Sequence, residues 1–267
     1  MNTFSWQTVT MNVVVCVKQI PDPADPGALD PSTKTLVRDG KLILDESDAY
    51  GVEMALQLAG DGEVSLVSMA PNGEVSGLRT ALAMGAAKAV LVSDDALKGS
   101  DALTTAKVLA KAIERVGGYD LVIAGIESSD GYTGVVPAQI AAVLGIPSVT
   151  FAKSVTVDGS NIKVDRQTEL GYDEVVAPLP ALVAVTAGVV EPRYPSFKGI
   201  MAAKSKPVDQ VTVGDLGLDA GQVGWAGAGQ EIVEVATAAA REAGEVIEDD
   251  GEAFNKVVDF LSNLKVI

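Results

Sequence analysis

The stretch Leu121-Val-Ile-Ala-Gly125-Ile-Glu-Ser-Ser-Asp130-Gly131-Tyr-Thr133-Gly134-Val-Val-Pro137 reads as a buried strand, a polar loop and the start of a helix. Residues 121–124 are uniformly apolar, as a strand covered on both faces must be. The loop is polar and carries glycines where a chain turns sharply. A helix is predicted from Thr133 or Gly134 to Leu144, ended by Gly145. In open α/β sheets ligands bind beyond the carboxyl ends of the strands. A helix N-terminus placed there offers unpaired N–H groups and a partial positive charge to a phosphate. Pro137 suits the first helical turn, where no backbone donor is needed. The same pattern fits an ordinary helix capped by Thr133, and the residues alone do not separate the two readings.

Working outward, the alternation repeats. Residues 13–17, 64–69, 89–92 and 181–185 are further apolar runs, with Ala-rich helical patterns between them. Helices are predicted over 48–58, over 75–84 with Gly85 as C-cap, and from the cap Asp101 through Ile113 to Gly117-Gly118. This is the signature of βαβ units and of a doubly wound, mostly parallel α/β sheet. Two hairpin signals interrupt it. Asp39-Gly40 separates residues 36–38 from 42–44, and Asp158-Gly159 separates Val155-Thr156 from 162–164, so antiparallel additions are expected.

The predicted layout is an extension at residues 1–10, an α/β domain over 11–207, and an arm with a terminal helix over 208–267. Residues 208–250 are rich in Gly, Ala, Asp and Glu and cannot make a core of their own. In the helix that follows, Phe254, Val257, Val258, Leu261 and Leu264 form one stripe. That stripe could dock on its own domain or on a partner; the pattern suits both.

Composition narrows the function. Lys+Arg number 20 against 36 Asp+Glu, a net charge of -16, which repels nucleic acid and anionic lipid. No apolar run approaches the ~20 residues of a membrane span, so no direct membrane insertion is expected. The one cysteine, Cys16, rules out internal disulfides, and the absence of histidine removes Ser-His-Asp and His-ligated metal chemistry. Without a targeting pattern at the start, a cytoplasmic location is expected. No phosphate-binding P-loop occurs, Gly227-Ala-Gly229 lacks a third glycine, and no nucleophile elbow is present. Nothing resembles a catalytic constellation, so the chain is not expected to be an enzyme by itself.

Several separated segments point one way. Met11-Asn-Val-Val-Val-Cys-Val-Lys18-Gln-Ile-Pro-Asp22, the helix carrying Glu53 and Ala55, and Leu78-Arg-Thr-Ala-Leu-Ala-Met-Gly-Ala86 lie in order along the chain. Glu191-Pro-Arg193-Tyr194-Pro-Ser-Phe197-Lys198-Gly-Ile200-Met201-Ala-Ala-Lys204 follows them. Together they resemble the β subunits of electron transfer flavoproteins. The resemblance implies a Rossmann-like sheet of the adenine nucleotide α-hydrolase kind and a heterodimer with an α subunit. It also implies a FAD bound mostly by that α subunit, and an AMP in this one or, in electron-bifurcating members, a second FAD. Electrons would come from acyl-CoA and related dehydrogenases and leave to a quinone oxidoreductase.

By position, the resemblance puts the family's nucleotide contacts on Cys16, Asp45, Glu46, Ser47, Asp48 and Met69. It adds Ile126, Glu127, Ser128, Ser129, Asp130, Gly131, Tyr132, Thr133 and Gly134. Partner recognition falls on Arg193, Tyr194, Phe197, Lys198, Ile200 and Met201, with Phe197 as the apolar anchor. Two positions depart from the family: Gln167 replaces a carboxylate and Pro23 an aromatic. A different class, an adenine-nucleotide sensor on a related sheet, would need a Gly-rich phosphate motif after the fourth strand, and the sequence has none.

Overall fold

Apolar runs and Ala-rich helices alternate because each buried strand needs a helix over each face, and the chain folds accordingly. The computed structural model describes residues 10–25, 27–236, 244, 246–249 and 251–267. The expected extension at 1–10 lies, apart from Thr10, outside them. Along the chain run β1 (Val13–Cys16), β2 (Gln19–Pro21), β3 (Leu42–Leu44), α1 (Glu46–Ala59), β4 (Val64–Met69), α2 (Ser76–Met84) and β5 (Lys88–Val92). Then follow α3 (Ala102–Val116), β6 (Leu121–Gly125), α4 (Val136–Leu144), β7 (Ser148–Asp158), β8 (Asn161–Thr168) and β9 (Gly171–Pro178). β10 (Ala181–Val185), α5 (Phe197–Ala203), β11 (Val208–Val211), the single turn α6 (Gly224–Gly227) and α7 (Ala253–Asn263) complete it.

Among the described residues the main sheet has nine strands in the order β11-β5-β4-β1-β6-β10-β7-β8-β9. From β11 to β7 every pairing is parallel; β7, β8 and β9 form an antiparallel meander. The winding runs from β1 outward to β4 and β5, then returns to place β6 on the other side of β1. The reversal leaves a crevice at the carboxyl ends of β1 and β6.

Two cores flank the sheet. On one face Val15, Leu66, Leu121 and Ile123 pack with Val52 and Ala55 of α1 and Leu78 and Leu82 of α2. On the other, Val14, Val67, Val122 and Leu182 meet Val108 and Ile113 of α3 and Ile140 of α4. Each such buried side chain contributes about 1.5–3 kcal/mol relative to exposure.

Local chemistry sets the helix ends. Asp101 caps α3 by accepting from Thr104 N at 2.8 Å, and Gly145 ends α4 in the left-handed region. The start predicted for α4 is corrected from Thr133 or Gly134 to Val136, and Thr133 is not its cap. Tyr132 (φ 48°) and Gly134 (φ 66°) are left-handed, which prevents a helix from running through them.

The first hairpin is also corrected. Residues 42–44 pair with β2, and Leu36 bridges to Leu29 instead. Leu42 and Leu44 are buried, while the Arg38 guanidinium is drawn across to Asp130, so the two halves of the expected hairpin part. The second hairpin forms, with Asp158 opposite Asn161 and Gly159-Ser160 as its loop. The pairing of β8 with β9 was not anticipated.

Past Pro207 the chain first adds β11 to the sheet edge beside β5. It then binds the start of α3, where Gly224 N donates to Ser100 Oγ (3.0 Å) and Gly229 N to Asp101 Oδ2 (2.8 Å). The compact units divide between Ile232 and Val233. The second unit holds α7, none of whose residues is buried.

α2 lacks a cap from its own N-terminal neighbour Val75. Gln19 of β2 replaces it: Oε1 accepts from Gly77 N at 2.9 Å, and Nε2 donates to Glu74 O at 2.5 Å. The contact is close enough that a Cβ on Gly77 would sit 2.8 Å from Leu44 N, so the position requires glycine. Replacing Gln19 with Ala orphans buried donors, and Gln19→Ala is expected to lower unfolding stability by about 1–3 kcal/mol in urea titrations.

Candidate functional site

The crevice between β1 and β6 gathers a set of buried acids. Asp45, fully buried, is the N-cap of α1: Oδ1 accepts from Ser47 N (3.1 Å) and Ser47 Oγ (2.8 Å). Its other oxygen accepts from Ser129 N (2.8 Å) and Ser129 Oγ (3.1 Å). One carboxylate thus starts a helix and pins the loop after β6. Ser47 Oγ adds a bond to Glu127 O at 3.1 Å, while Glu46 points outward in the acidic first turn.

Asp48 lies one turn on and is buried. Lys18 N donates to its Oδ2 at 2.6 Å, and the Gly125 amide also faces it. Burial nonetheless dominates. With the neighbouring Asp45 charge adding to it and the two amides opposing, the carboxyl is pushed up to about 8. A Cβ on Gly125 would meet Asp48 Oδ1 at 3.0 Å, so glycine lets the strand end close on this acid.

Asp130 is charged and enclosed. Burial would raise its pKa, but the charges and hydrogen bonds of Lys18 and Arg38 outweigh burial and hold it below the usual carboxylate range. Lys18 Nζ sits 2.6 Å from Oδ1 and 3.1 Å from Ser128 Oγ, and Arg38 Nη2 pairs with Oδ2. The Asp130 side chain therefore organises the loop from inside. Lys18 and Arg38 were not assigned to the site from sequence. Lys18 is 112 residues from its partner, and no local pattern signals such a pair.

The remaining predicted contacts converge on the same edge. Cys16 ends β1, buried, its thiol pushed up by burial and then by Asp48. Met69 ends β4 and packs on the second core. Ile126 and Ser128 are half-buried, and Gly131, Tyr132 and Thr133 are exposed along the loop. Gly134 opens toward Glu127, whose Oε2 would lie 3.3 Å from an added Cβ. Among the described residues the main-chain amides of Thr133, Gly134, Val135 and Val136 have no hydrogen-bond partner, and no side chain caps α4. Free donors at a helix start suit an anion such as a nucleotide phosphate, and Lys18 Nζ lies along the same loop, 3.7 Å from where a Cβ on Gly131 would sit.

The predicted recognition residues lie elsewhere, on α5 and the turn before it. Tyr194 and Phe197 are 92% and 81% exposed, and Ile200 and Met201 are about half exposed. Lys198 is exposed as well. Arg193 turns the other way, toward α1.

A profile of the electron transfer flavoprotein domain matches residues 33–216. The electron transfer flavoprotein subunit beta of Mycobacterium leprae (strain TN) is 41% identical over 264 residues, covering 96% of this chain and 99% of its own. The chain belongs to the electron transfer flavoprotein β-subunit family. A further β subunit, from Thermoanaerobacterium thermosaccharolyticum, is 38% identical and covers 96% of this chain and 100% of its own. The caffeyl-CoA reductase-Etf complex subunit CarD of Acetobacterium woodii is 35% identical, covering 96% and 98%. Membership makes the chain one subunit of a flavin-linked electron transfer assembly, with an α subunit as its partner. Among the described residues no helix is long and apolar enough to cross a membrane.

Asp48 gives this β-subunit site a pH signature. With the folded pKa at about 8 and the unfolded one in the ordinary carboxylate range, folding takes up a proton between them. Stability contributed by this group therefore falls as pH rises through that window. Asp48→Asn is expected to remove a slope of at most about 1.4 kcal/mol per pH unit. Urea midpoints measured for both forms across the window would show parallel curves if Asp48 were ionised throughout.

Proposed function

We propose that this chain is the adenylate-holding subunit of a heterodimeric electron carrier and has no catalytic constellation of its own. The reading rests on the loop from Ile126 to Gly134, clamped by Asp45 at the switch point of the sheet with four main-chain amides free. AMP would lie there as a structural ligand. Its base would rest by Cys16 and Met69, its ribose by the Asp45–Ser47–Asp48 turn, and its phosphate on the Thr133–Val136 amides. Lys18 would neutralise part of the phosphate charge while staying near Asp130.

FAD, held mostly by the α subunit, supplies the electron-carrying chemistry when bound. This chain's contribution is to shape the interface, hold the adenylate and present a docking surface. The exposed Tyr194, Phe197, Ile200 and Met201 suit capture by an apolar pocket on an acyl-CoA-type dehydrogenase, since aromatic anchors dominate such contacts. The CarD relative is named for a complex with a CoA-thioester reductase, which supports partners of that class. A quinone oxidoreductase would receive the electrons, and the cytoplasm is the proposed location. Arm and α7, residues 208–267 in the predicted layout, would complete the contact with the α subunit; the exposed apolar stripe of α7 supports that role.

Co-expression with an α-type subunit tests the proposal. One FAD per heterodimer and one AMP released on denaturation are expected, read by absorbance and mass spectrometry. A second FAD in place of AMP would move the chain to the electron-bifurcating kind. A chain that purifies without an adenylate and ignores flavin-bearing subunits would refute the reading.

A further inference from the structure

Glu53 is a carboxylate in the middle of α1, among the core residues Val52, Met54 and Ala55. A charge there is costly unless it is fully paired. Its side chain is 5% exposed and receives four donors. Arg193 gives Nε at 2.6 Å, Nη2 at 3.0 Å and its main-chain N at 3.3 Å, and Gln57 gives Nε2 at 2.9 Å. Burial would raise the Glu53 pKa, but the Arg193 and Gln57 hydrogen bonds outweigh it and keep the group charged.

Arg193 immediately precedes the exposed docking residues. Among the described residues, every hydrogen bond made between Glu191 and Pro195 runs through Arg193 to Glu53. Ser196 then caps α5 by accepting from Gly199 N at 3.0 Å. The far end of α5 is tied down separately. Arg79 Nη1 donates to Ala203 O and Lys206 O, both at 2.7 Å. Gly199, in the first turn of α5, also backs onto α2, where a Cβ would lie 2.4 Å from Ala83 O. α5 is thus fixed on α2, the stretch leading into it is held on α1, and Glu53 is the only polar anchor of residues 191–195 among the described residues.

We propose that Glu53 is a positioning residue for partner docking. Its forked pairing with Arg193 sets where Tyr194 and Phe197 stand, so it governs affinity for the redox partner without touching it. This rests on the reading of residues 194–201 as the docking segment. Two features favour positioning over plain stability. The Glu53 fork fixes the main-chain N of Arg193 as well as its side chain. The residues it orients are 92% and 81% exposed and add little to the core.

The test uses the intact heterodimer and its electron-donating dehydrogenase, with Glu53→Gln, Arg193→Lys, Phe197→Ala and the Glu53→Gln/Phe197→Ala pair. Flavin content equal to wild type confirms folding, and Arg193→Lys reports on the fork if the glutamine variant fails that check. Glu53→Gln and Arg193→Lys are expected to raise KM for the heterodimer as substrate about tenfold with kcat little changed. Amide exchange should quicken at residues 194–197 and stay unchanged in α2. In the Phe197→Ala background, Glu53→Gln should add less than its full effect, because one of the two groups it positions has gone. An additive effect in the double variant, or an unchanged KM in both fork variants while Phe197→Ala raises it, overturns the inference and leaves the docking segment standing. An unchanged KM in Phe197→Ala overturns the docking reading itself, and this inference with it.

Discussion

Asp45 is the constraint on which the functional edge of the molecule depends. A buried carboxylate is tolerable only when donors replace its hydration. Four do so here, two from the start of α1 and two from the loop after β6. Because Ser129 lies 84 residues from Asp45 while Ser47 is its near neighbour, satisfying the carboxylate and closing the crevice are one event. An apolar residue would be easier to bury, but it would leave both the helix start and the loop without a partner.

The same logic recurs along α1. Asp45 clamps the loop after β6 at its N-terminus, and Glu53, about two turns further on, clamps the segment leading into α5. α1 is therefore both a core helix and a frame for two surfaces with separate tasks. Its apolar face, Val52 and Ala55, fixes it on the sheet. Its acids then fix what the sheet cannot reach. Between the clamps Asp48 is held differently: burial outweighs its donors and favours the neutral form, which spares the crevice a second charge beside Asp45.

How much of this was legible follows from the range of each interaction. Strands 64–69 and 181–185 and the cap Asp101 were readable because burial on both faces and helix capping are written in adjacent residues. The 36–44 hairpin failed because Asp39-Gly40 is a local signal overruled by a distant one, Arg38 to Asp130 across 92 residues. The start of α4 was placed early for a related reason. Tyr132 and Gly134 adopt left-handed backbone that the loop's attachment to Asp45 supports, and the tyrosine gives no warning of it. Lys18 and Arg38 escaped assignment because ion pairs carry no spacing. The assignment of residues 126–134 to a nucleotide and of residues 193–201 to a partner came from resemblance, because no local pattern in either stretch names its ligand.

Exposing Tyr194 and Phe197 carries a risk, since apolar surface invites unwanted association. The arrangement limits that risk by confining the exposed groups to a short segment held by polar anchors. A loose segment would have to be ordered on binding and would lose affinity to that ordering. A segment packed into the core would be ordered but hidden. Holding a charged fork on a core helix and leaving the aromatics outside gives order and exposure together. That is how a buried glutamate on α1 comes to bear on the surface carried by Tyr194 and Phe197.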